Sequence, residues 1–350
     1  MGRLLLQNSL ITTLLVLLYA IGVSASGAGA LGGPYLRVPA GALTPINGTA
    51  SPDYLSIAVN PSRLAFNQRK QLVVNAGLKP LGRKEGSLSW EYGISSKVAV
   101  GAAAFYRGDP SLDNLKTDNE ADIEEASFTT LTTYLGGRLR LKRNISIGIS
   151  GKFIYLNMPS DFNSRGELKY SNQFDLGGID LGMSFDRSQK LKLGFNFKNL
   201  FGIIHWKLKN YNSDYTSQNN DTLSSPFTAG VRIKSTAGGH PFIWNPDISI
   251  YLINSFFSPL EHKFASINNG FIWKRWENFH ILAGIENIIL NYNLIKDQDS
   301  YKDEFHPVIR LGMYADLSSL IDTDLCIAYS ISNDRVWAGV DQKLDLLFNF

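Results

Sequence analysis

From Val336 to Phe350, apolar and polar side chains take turns. Val336, Ala338, Val340, Leu344, Leu346, Phe348 and Phe350 share one face, with Gln342 the exception. Trp337, Gly339, Asp341, Lys343, Asp345 and Asn349 share the other, with Leu347 the exception. A period of two marks a β-strand whose faces meet different surroundings. The run is also long, because strands in globular proteins average about 5–6 residues. Two settings suit such a strand: the edge of a soluble sheet, or the wall of a barrel with lipid outside.

The same period recurs along the chain. Leu88, Trp90, Tyr92 and Ile94 oppose Ser87, Ser89 and Glu91, and Leu131, Leu135, Leu139 and Leu141 oppose Thr130, Thr132, Arg138 and Arg140. Ile145, Ile147, Ile149, Phe153 and Tyr155 oppose Ser146, Gly148, Ser150 and Lys152, and Leu191, Leu193, Phe195 and Phe197 oppose Lys192, Gly194, Asn196 and Lys198. Fourteen strands are expected, at 71–79, 86–94, 97–106, 127–140, 144–156, 174–186, 190–199, 225–235, 246–255, 261–273, 278–290, 305–316, 322–331 and 335–350.

The connections decide between the two settings. Ser95-Ser96, Leu141-Lys142-Arg143, Arg187-Ser188-Gln189 and Lys274-Arg275-Trp276-Glu277 read as tight turns. Between them lie the polar stretches 107–126, 157–173, 200–224 and 291–304, and parity puts all of these on one side. Membrane barrels have short turns at one end and long loops at the other, with an even strand number. A soluble sandwich has no reason to keep that parity. Residues 236–245 are the exception, being long for a turn. The expected fold is all-β: a transmembrane antiparallel up-and-down barrel of about fourteen strands, over 71–350. Trp90, Tyr92, Tyr106, Tyr155, Trp273, Trp276, Tyr314 and Phe350 fall toward strand ends and are expected in the interfacial girdles.

The ends of the chain agree. A final strand closing on Phe350 resembles the closing strand of bacterial outer-membrane barrels. Met1-Gly2-Arg3, the apolar run Leu10 to Val23 and the small residues Ser24 to Ala30 read as a signal peptide over 1–30, cleaved near Ala25 or Ala30. That run is short of the about 20 residues a membrane helix needs. No Cys stands at the cleavage region, which excludes a lipoprotein anchor. The expected location is the outer membrane of a Gram-negative-type bacterium. The mean hydropathy of -0.08 suits a wall in which every second residue faces water.

Residues 31–70 do not read as strand. They hold Gly32-Gly33-Pro34, Pro39, Pro45, Pro52 and Pro61, yet also Leu55, Ile57, Val59, Leu64 and Phe66. A barrel of about fourteen strands is too wide for wall side chains alone to fill. This amino-terminal segment is therefore expected as a plug inside the lumen. Glu91, Arg138, Arg140, Lys152, Asp180, Lys192 and Lys198 are expected as lumen charges that pair and fasten it, or line a polar path.

Asn60-Pro61-Ser62-Arg63-Leu64-Ala65 resembles the Asn-Pro-Ala-Gly-Leu-Ala signature of the FadL-like outer-membrane proteins, including the PorV/PorQ branch. Gly148 to Tyr155 resembles that branch's Gly-x-x-x-Lys strand. Asp180-Leu181-Gly182-Met183, followed by Leu193-Gly194 and Asn199-Leu200, resembles its Asp-Leu-Gly-Leu and Leu-Gly-x-x-x-x-Asn-Leu pair. The resemblance covers roughly 31–350 and implies a fourteen-stranded barrel with the Asn-Pro segment inside. It departs at Ser62-Arg63, and a charge there argues against a purely hydrophobic route past the plug.

Enzyme chemistry has no foothold. His205, His240, His262, His280 and His306 form no metal-ligand spacing, and neither a Gly-x-Ser-x-Gly elbow nor a phosphate-binding Gly-Lys loop occurs. A single Cys excludes an intrachain disulfide and a Cys-based zinc site, and Cys326 is expected to pack. The net charge of +3 is spread out, so nucleic acid is not implied. The acidic stretch 109–125 reads as a solvated loop. No cofactor is expected, and the barrel is expected as a monomer in outer-membrane lipid. Two partner classes remain. One is a hydrophobic small molecule bound between plug and wall. The other, implied by the PorV resemblance, is a secreted or surface protein held at the external loops in a type IX secretion-like scaffold.

Overall fold

The computed structural model describes residues 49–50, 56–64, 70–78, 84–109, 128–162, 167–210, 216–223, 226–237, 239–254, 261–274, 276–289, 307–319, 324–333 and 340–350. The leader 1–30 and the acidic stretch 110–125 lie outside them. A helical turn α1 (Ser56–Val59) and a 3₁₀ turn (Pro61–Arg63) precede the strands. The strands follow as β1 (Lys70–Leu78), β2 (Lys84–Gly93), β3 (Val98–Asp109), β4 (Phe128–Lys142), β5 (Ile145–Phe162), β6 (Glu167–Asp186), β7 (Leu191–Leu200), β8 (Ile203–Asn210), β9 (Thr216–Thr222), β10 (Phe227–Ala237), β11 (His240–Asn254), β12 (Glu261–Trp273), β13 (Phe279–Ile289), β14 (Val308–Asp316), β15 (Asp324–Asn333) and β16 (Val340–Asn349).

Every pairing is antiparallel. Neighbours in sequence pair around the wall, β7 pairs with β10, and β16 closes on β1 through Gln71 opposite Asn349 and Leu78 opposite Gln342. Fourteen strands therefore form a closed ring, which leaves no edge. β8 and β9 are not among the fourteen: β8 pairs with the outer end of β6 through Tyr170 opposite Lys207, and β9 pairs with β8, so that the hairpin extends the wall past β7. The near rim carries the chain ends of the barrel and the turns at 94–97, 143–144 and 187–190, with the described residues 239, 276–278 and 317–319 at the same end.

The alternation read from the sequence sets the two faces. In β16, Asp341, Lys343, Asp345 and Leu347 are buried inside, while Val340 and Leu344 are exposed outside. Gln342, the polar residue on the lipid face, accepts a hydrogen bond from the Tyr329 hydroxyl at 3.0 Å. Leu88, Trp90, Leu135, Ile149, Leu181, Leu311 and Ile331 continue the apolar outer band. Such a band around a polar interior is the mark of a wall in lipid.

Three expectations change in detail. The connection expected at 236–245 is mostly strand, because β10 runs to Ala237 and β11 starts at His240 and runs through Pro241 and Pro246. Pro246 lacks an N–H, and the β10–β11 ladder skips from Gly230–Asp247 to Ile233–Trp244 around it. The stretches 157–173 and 200–224 are largely strand, the ends of β5 and β6 in the first and the β8–β9 hairpin in the second. Tyr314 is not in an aromatic girdle: it faces inward, stacks on His280 with ring centroids 4.9 Å apart and donates to Cys326 Sγ at 2.8 Å. Cys326 is buried in the inner cluster with Ala328 and Leu347.

Candidate functional site

The Asn-Pro segment lies in the near half of the lumen. Asn60 caps the 3₁₀ turn: its Oδ1 accepts from the Ser62 N–H at 3.1 Å and from the Ser62 hydroxyl at 2.7 Å. Pro61 takes the first position of the turn, where a missing N–H costs nothing. The Asn60 amide then donates to Thr49 O at 2.9 Å and, across the lumen, to Phe195 O at 3.3 Å. Asn60 and Ser62 are fully buried.

The wall satisfies the backbone of this segment one group at a time. Glu91 Oε1 accepts the Ser56 N–H at 2.9 Å, and Asp247 Oδ2 accepts the Thr49 N–H at 2.6 Å. The Ser150 hydroxyl donates to Ile57 O and the Ser184 hydroxyl to Ser62 O, both at 3.2 Å. Asn196 donates to Val59 O, Lys198 to Ala58 O at 3.4 Å, and Arg138 to Leu64 O at 2.5 Å. Arg63 points to the near rim, where it pairs with Asp186 and donates to Leu193 O at 2.8 Å. The apolar side of the segment, Ile57, Ala58 and Leu64, packs on Val73, Ala99, Ala103, Phe105 and Tyr134.

Glycines make the seat. A methyl group on Gly148 would lie 2.3 Å from the Pro61 carbonyl carbon, one on Gly182 2.1 Å from Asn60 Oδ1, and one on Gly194 2.2 Å from Thr49 O. Gly148 is paired with Gly182 across β5–β6, and Gly194 with Gly230 across β7–β10. Four inward positions thus form a floor without side chains, where the plug backbone comes down onto the wall.

Farther out, β7 bends. Asn199 has φ 58° and Phe201 φ 59°, a left-handed conformation that Asn tolerates and Phe rarely adopts. Gly178 in β6 has φ 106° and presses on Asn199, so that a methyl group there would lie 2.7 Å from Asn199 Cα. Asp180 Oδ1 accepts the Asn199 N–H at 2.8 Å. The Lys152 ammonium lies 3.4 Å from the same Asp180 oxygen, contacts Asn199 Oδ1 and sits 5.4 Å from the centre of the Tyr134 ring.

Beyond the bend the wall has a seam. Ile179 pairs with Leu200, and pairing resumes only at Tyr170 with Lys207, leaving 171–178 of β6 and 201–206 without a shared ladder among the described residues. The other edge of β6 stays paired to β5 throughout, from Phe153–Leu176 to Met158–Ser171. Asp175 stands in for the ladder, accepting the His205 N–H at 3.1 Å and holding His205 Nδ1 at 2.6 Å. Here Phe174, Asp175, His205, Trp206, Lys207 and Gln218 line a cleft of about 340 Å³. Phe174 belongs to the outer face, where it stacks on Phe153 at 5.6 Å, whereas Trp206 is buried. Ile154, Leu156, Ile204 and Leu223 are buried along the strands beside it.

Five of the seven charges read from the sequence are placed by hydrogen bonds and ion pairs, and the other two by burial alone. Glu91, Arg138 and Lys198 meet the plug, Lys152 and Asp180 meet Asn199, and Arg140 and Lys192 stand half-buried toward the near rim. The sequence reading did not single out Asn196, Asp247 or the Asp175–His205 pair as site residues, and it held Asn199 only as part of a motif. It also missed the glycine floor, whose only signal was glycine recurring at inward positions of neighbouring strands.

No family model matches the sequence, and no curated protein matches it at a significant level. Solved structures do resemble the fold. The Pseudomonas putida toluene transporter TodX aligns at 10% identity over 87% of this chain and 96% of its own, with a TM-score of 0.51. The Ralstonia pickettii toluene transporter TbuX aligns at 10% identity over 93% and 98%, with a TM-score of 0.52. A FadL homologue of Pseudomonas aeruginosa aligns at 13% identity over 84% and 93%, with a TM-score of 0.50. At these identities the likeness fixes the fold: a closed barrel of Gram-negative outer-membrane type. The finer resemblance to the PorV/PorQ branch rests on the sequence motifs alone.

Proposed function

We propose that this barrel carries small apolar molecules across the outer membrane, without chemistry of its own. One observation carries the reading: a cleft at the wall seam is lined both by Phe174, exposed on the apolar outer surface, and by the buried Trp206. The plug stands across the straight path along the axis, and the seam offers a lateral one. A molecule entering from the far side would reach the buried apolar residues at Trp206, pass the seam, and emerge beside Phe174, Phe153 and Leu176 on the apolar outer surface. The reading takes residues 1–30 as a cleaved leader, 31–70 as the plug segment and 71–350 as the barrel. Lumen charges serve chiefly to hold the plug, since several of them end on its backbone. That two proteins of similar fold are described as toluene transporters makes a monoaromatic hydrocarbon the natural probe.

The test is uptake of radiolabelled toluene by cells of a porin-poor bacterial strain, with and without this chain. Faster uptake with the chain supports the reading. Unchanged uptake with the barrel correctly inserted refutes it and favours the scaffold role at the external loops.

A further inference from the structure

We infer that Lys152, Asp180 and Asn199 form a clamp that keeps the wall seam unzipped. The three residues come from three adjacent strands, β5, β6 and β7, and close a triangle at the lower end of the seam. Lys152 and Asp180 are 3% and 0% exposed, so both charges are compensated by partners inside the lumen: each other, Asn199 and, for Lys152, the Tyr134 ring. Asp180 binds the Asn199 backbone N–H, and Lys152 binds the Asn199 side chain. Both groups of Asn199 are thereby turned away from the β6 edge and toward the lumen. This is the point where the chain leaves the plane of the wall, with Asn199 and Phe201 both in the left-handed region.

A bent strand next to a straight one cannot share a ladder. Just above the clamp, the Gly202 position comes within 2.9 Å of Gly177 O, measured from where its methyl group would stand, yet the two strands remain unpaired up to Tyr170 and Lys207. The seam backbone is held by other partners, the Gly202 N–H by Asn199 O and the His205 N–H by Asp175, both at 3.1 Å, and a ladder would exchange these for strand hydrogen bonds. Released from the clamp, 201–206 would straighten and pair with 171–178, and the cleft at Asp175 and His205 would close. The clamp is thus a positioning device: none of its three residues lines the cleft.

That closing the seam also stops transport rests on the reading proposed above, and the experiment separates the two. Hydrogen exchange of the folded, detergent-solubilised barrel reports on the seam, and toluene uptake reports on transport. Lys152→Met combined with Asp180→Asn removes both members of this ion pair together, so that neither is left without the other. Asn199→Val disfavours the left-handed bend by a separate route, and Asn199→Gly keeps the bend while losing the side chain. We expect peptides covering 171–178 and 201–206 to exchange about tenfold more slowly in the double variant and in Asn199→Val, the scale of one amide hydrogen bond gained. Asn199→Gly should fall between these and the unaltered chain, because it keeps the Asp180 bond to the backbone N–H and loses the Lys152 contact. If the double variant does not fold, Asn199→Val carries the test. Exchange at the seam that is unchanged, or faster, in the variants that fold overturns the clamp. Slower exchange with undiminished toluene uptake upholds the clamp and overturns passage through the seam.

Discussion

Gly148 lies directly against Pro61 with no room between them: a methyl group on Gly148 would lie 2.3 Å from the Pro61 carbonyl carbon. The plug backbone is therefore seated on the wall itself. The wall's side chains reach past it to bond its carbonyls and amides, as Ser150, Asn196 and Asp247 do.

Filling the seat should unseat the plug. Gly148→Val places a branched side chain into occupied backbone, and overpacking of this kind costs about 1–3 kcal/mol. Because the ring closes without the plug, the barrel should still form. Single channels in planar bilayers should then conduct ions where the unaltered chain does not. An insulating Gly148→Val barrel would place the barrier elsewhere.

Asn60 is the knot of the segment. Asn60→Ala removes the cap on Ser62 and the ties to Thr49 and Phe195, leaving buried partners unsatisfied at about 1–3 kcal/mol each. Limited proteolysis from the near side should cut residues 49–64 faster than in the unaltered chain, while the strands resist. Equal cutting rates would mean that the glycine seat alone holds the segment.

The Arg63–Asp186 pair should contribute little by charge. Asp186 is about one-third exposed at its side chain (36%), and a pair so placed is worth about 0.2–1 kcal/mol. Asp186→Asn should lower the unfolding midpoint slightly, with a difference that fades as salt rises. Arg63→Ala should cost more, because it also removes the bond to Leu193 O.

The lipid face gives a sharper contrast. Leu135 is 61% exposed near the middle of β4, and Leu135→Arg should destabilise the inserted barrel by about 2–4 kcal/mol. Gln342→Leu exchanges a satisfied polar group on the same face for an apolar one and should stay within about 0.5 kcal/mol. Urea unfolding from lipid vesicles measures both. Equal effects would argue against lipid at this surface.

The strands and their faces were legible because burial repeats every second residue, and a barrel wall obeys that rule nearly everywhere. Pro241 and Pro246 hid the start of β11, since proline ordinarily excludes a central strand. Ile204, Trp206 and Leu208 do alternate, but over so few residues between Asn-rich stretches that the β8–β9 hairpin passed for loop. Tyr314 looked like a girdle residue because a strand end says nothing about which side the ring faces. The contacts of the plug were illegible for another reason. Most join a side chain to backbone more than ninety residues away, as Ser150 to Ile57 and Asn196 to Val59, and backbone carries no sequence signal. Lys152, Asp180 and Asn199 were each visible in a separate motif. Only the register of three strands brings them together.

Passage through the wall is the central claim, and locking the seam tests it most directly. In a Cys326→Ser background, Asp175→Cys and His205→Cys replace the two side chains that already meet across the seam at 2.6 Å. A short bifunctional thiosulfonate would bridge the new thiols, and a reductant would free them. Toluene uptake by cells carrying this barrel should fall on bridging and recover on reduction, with either single-cysteine chain unaffected. Uptake that continues undiminished through a bridged seam would contradict the account.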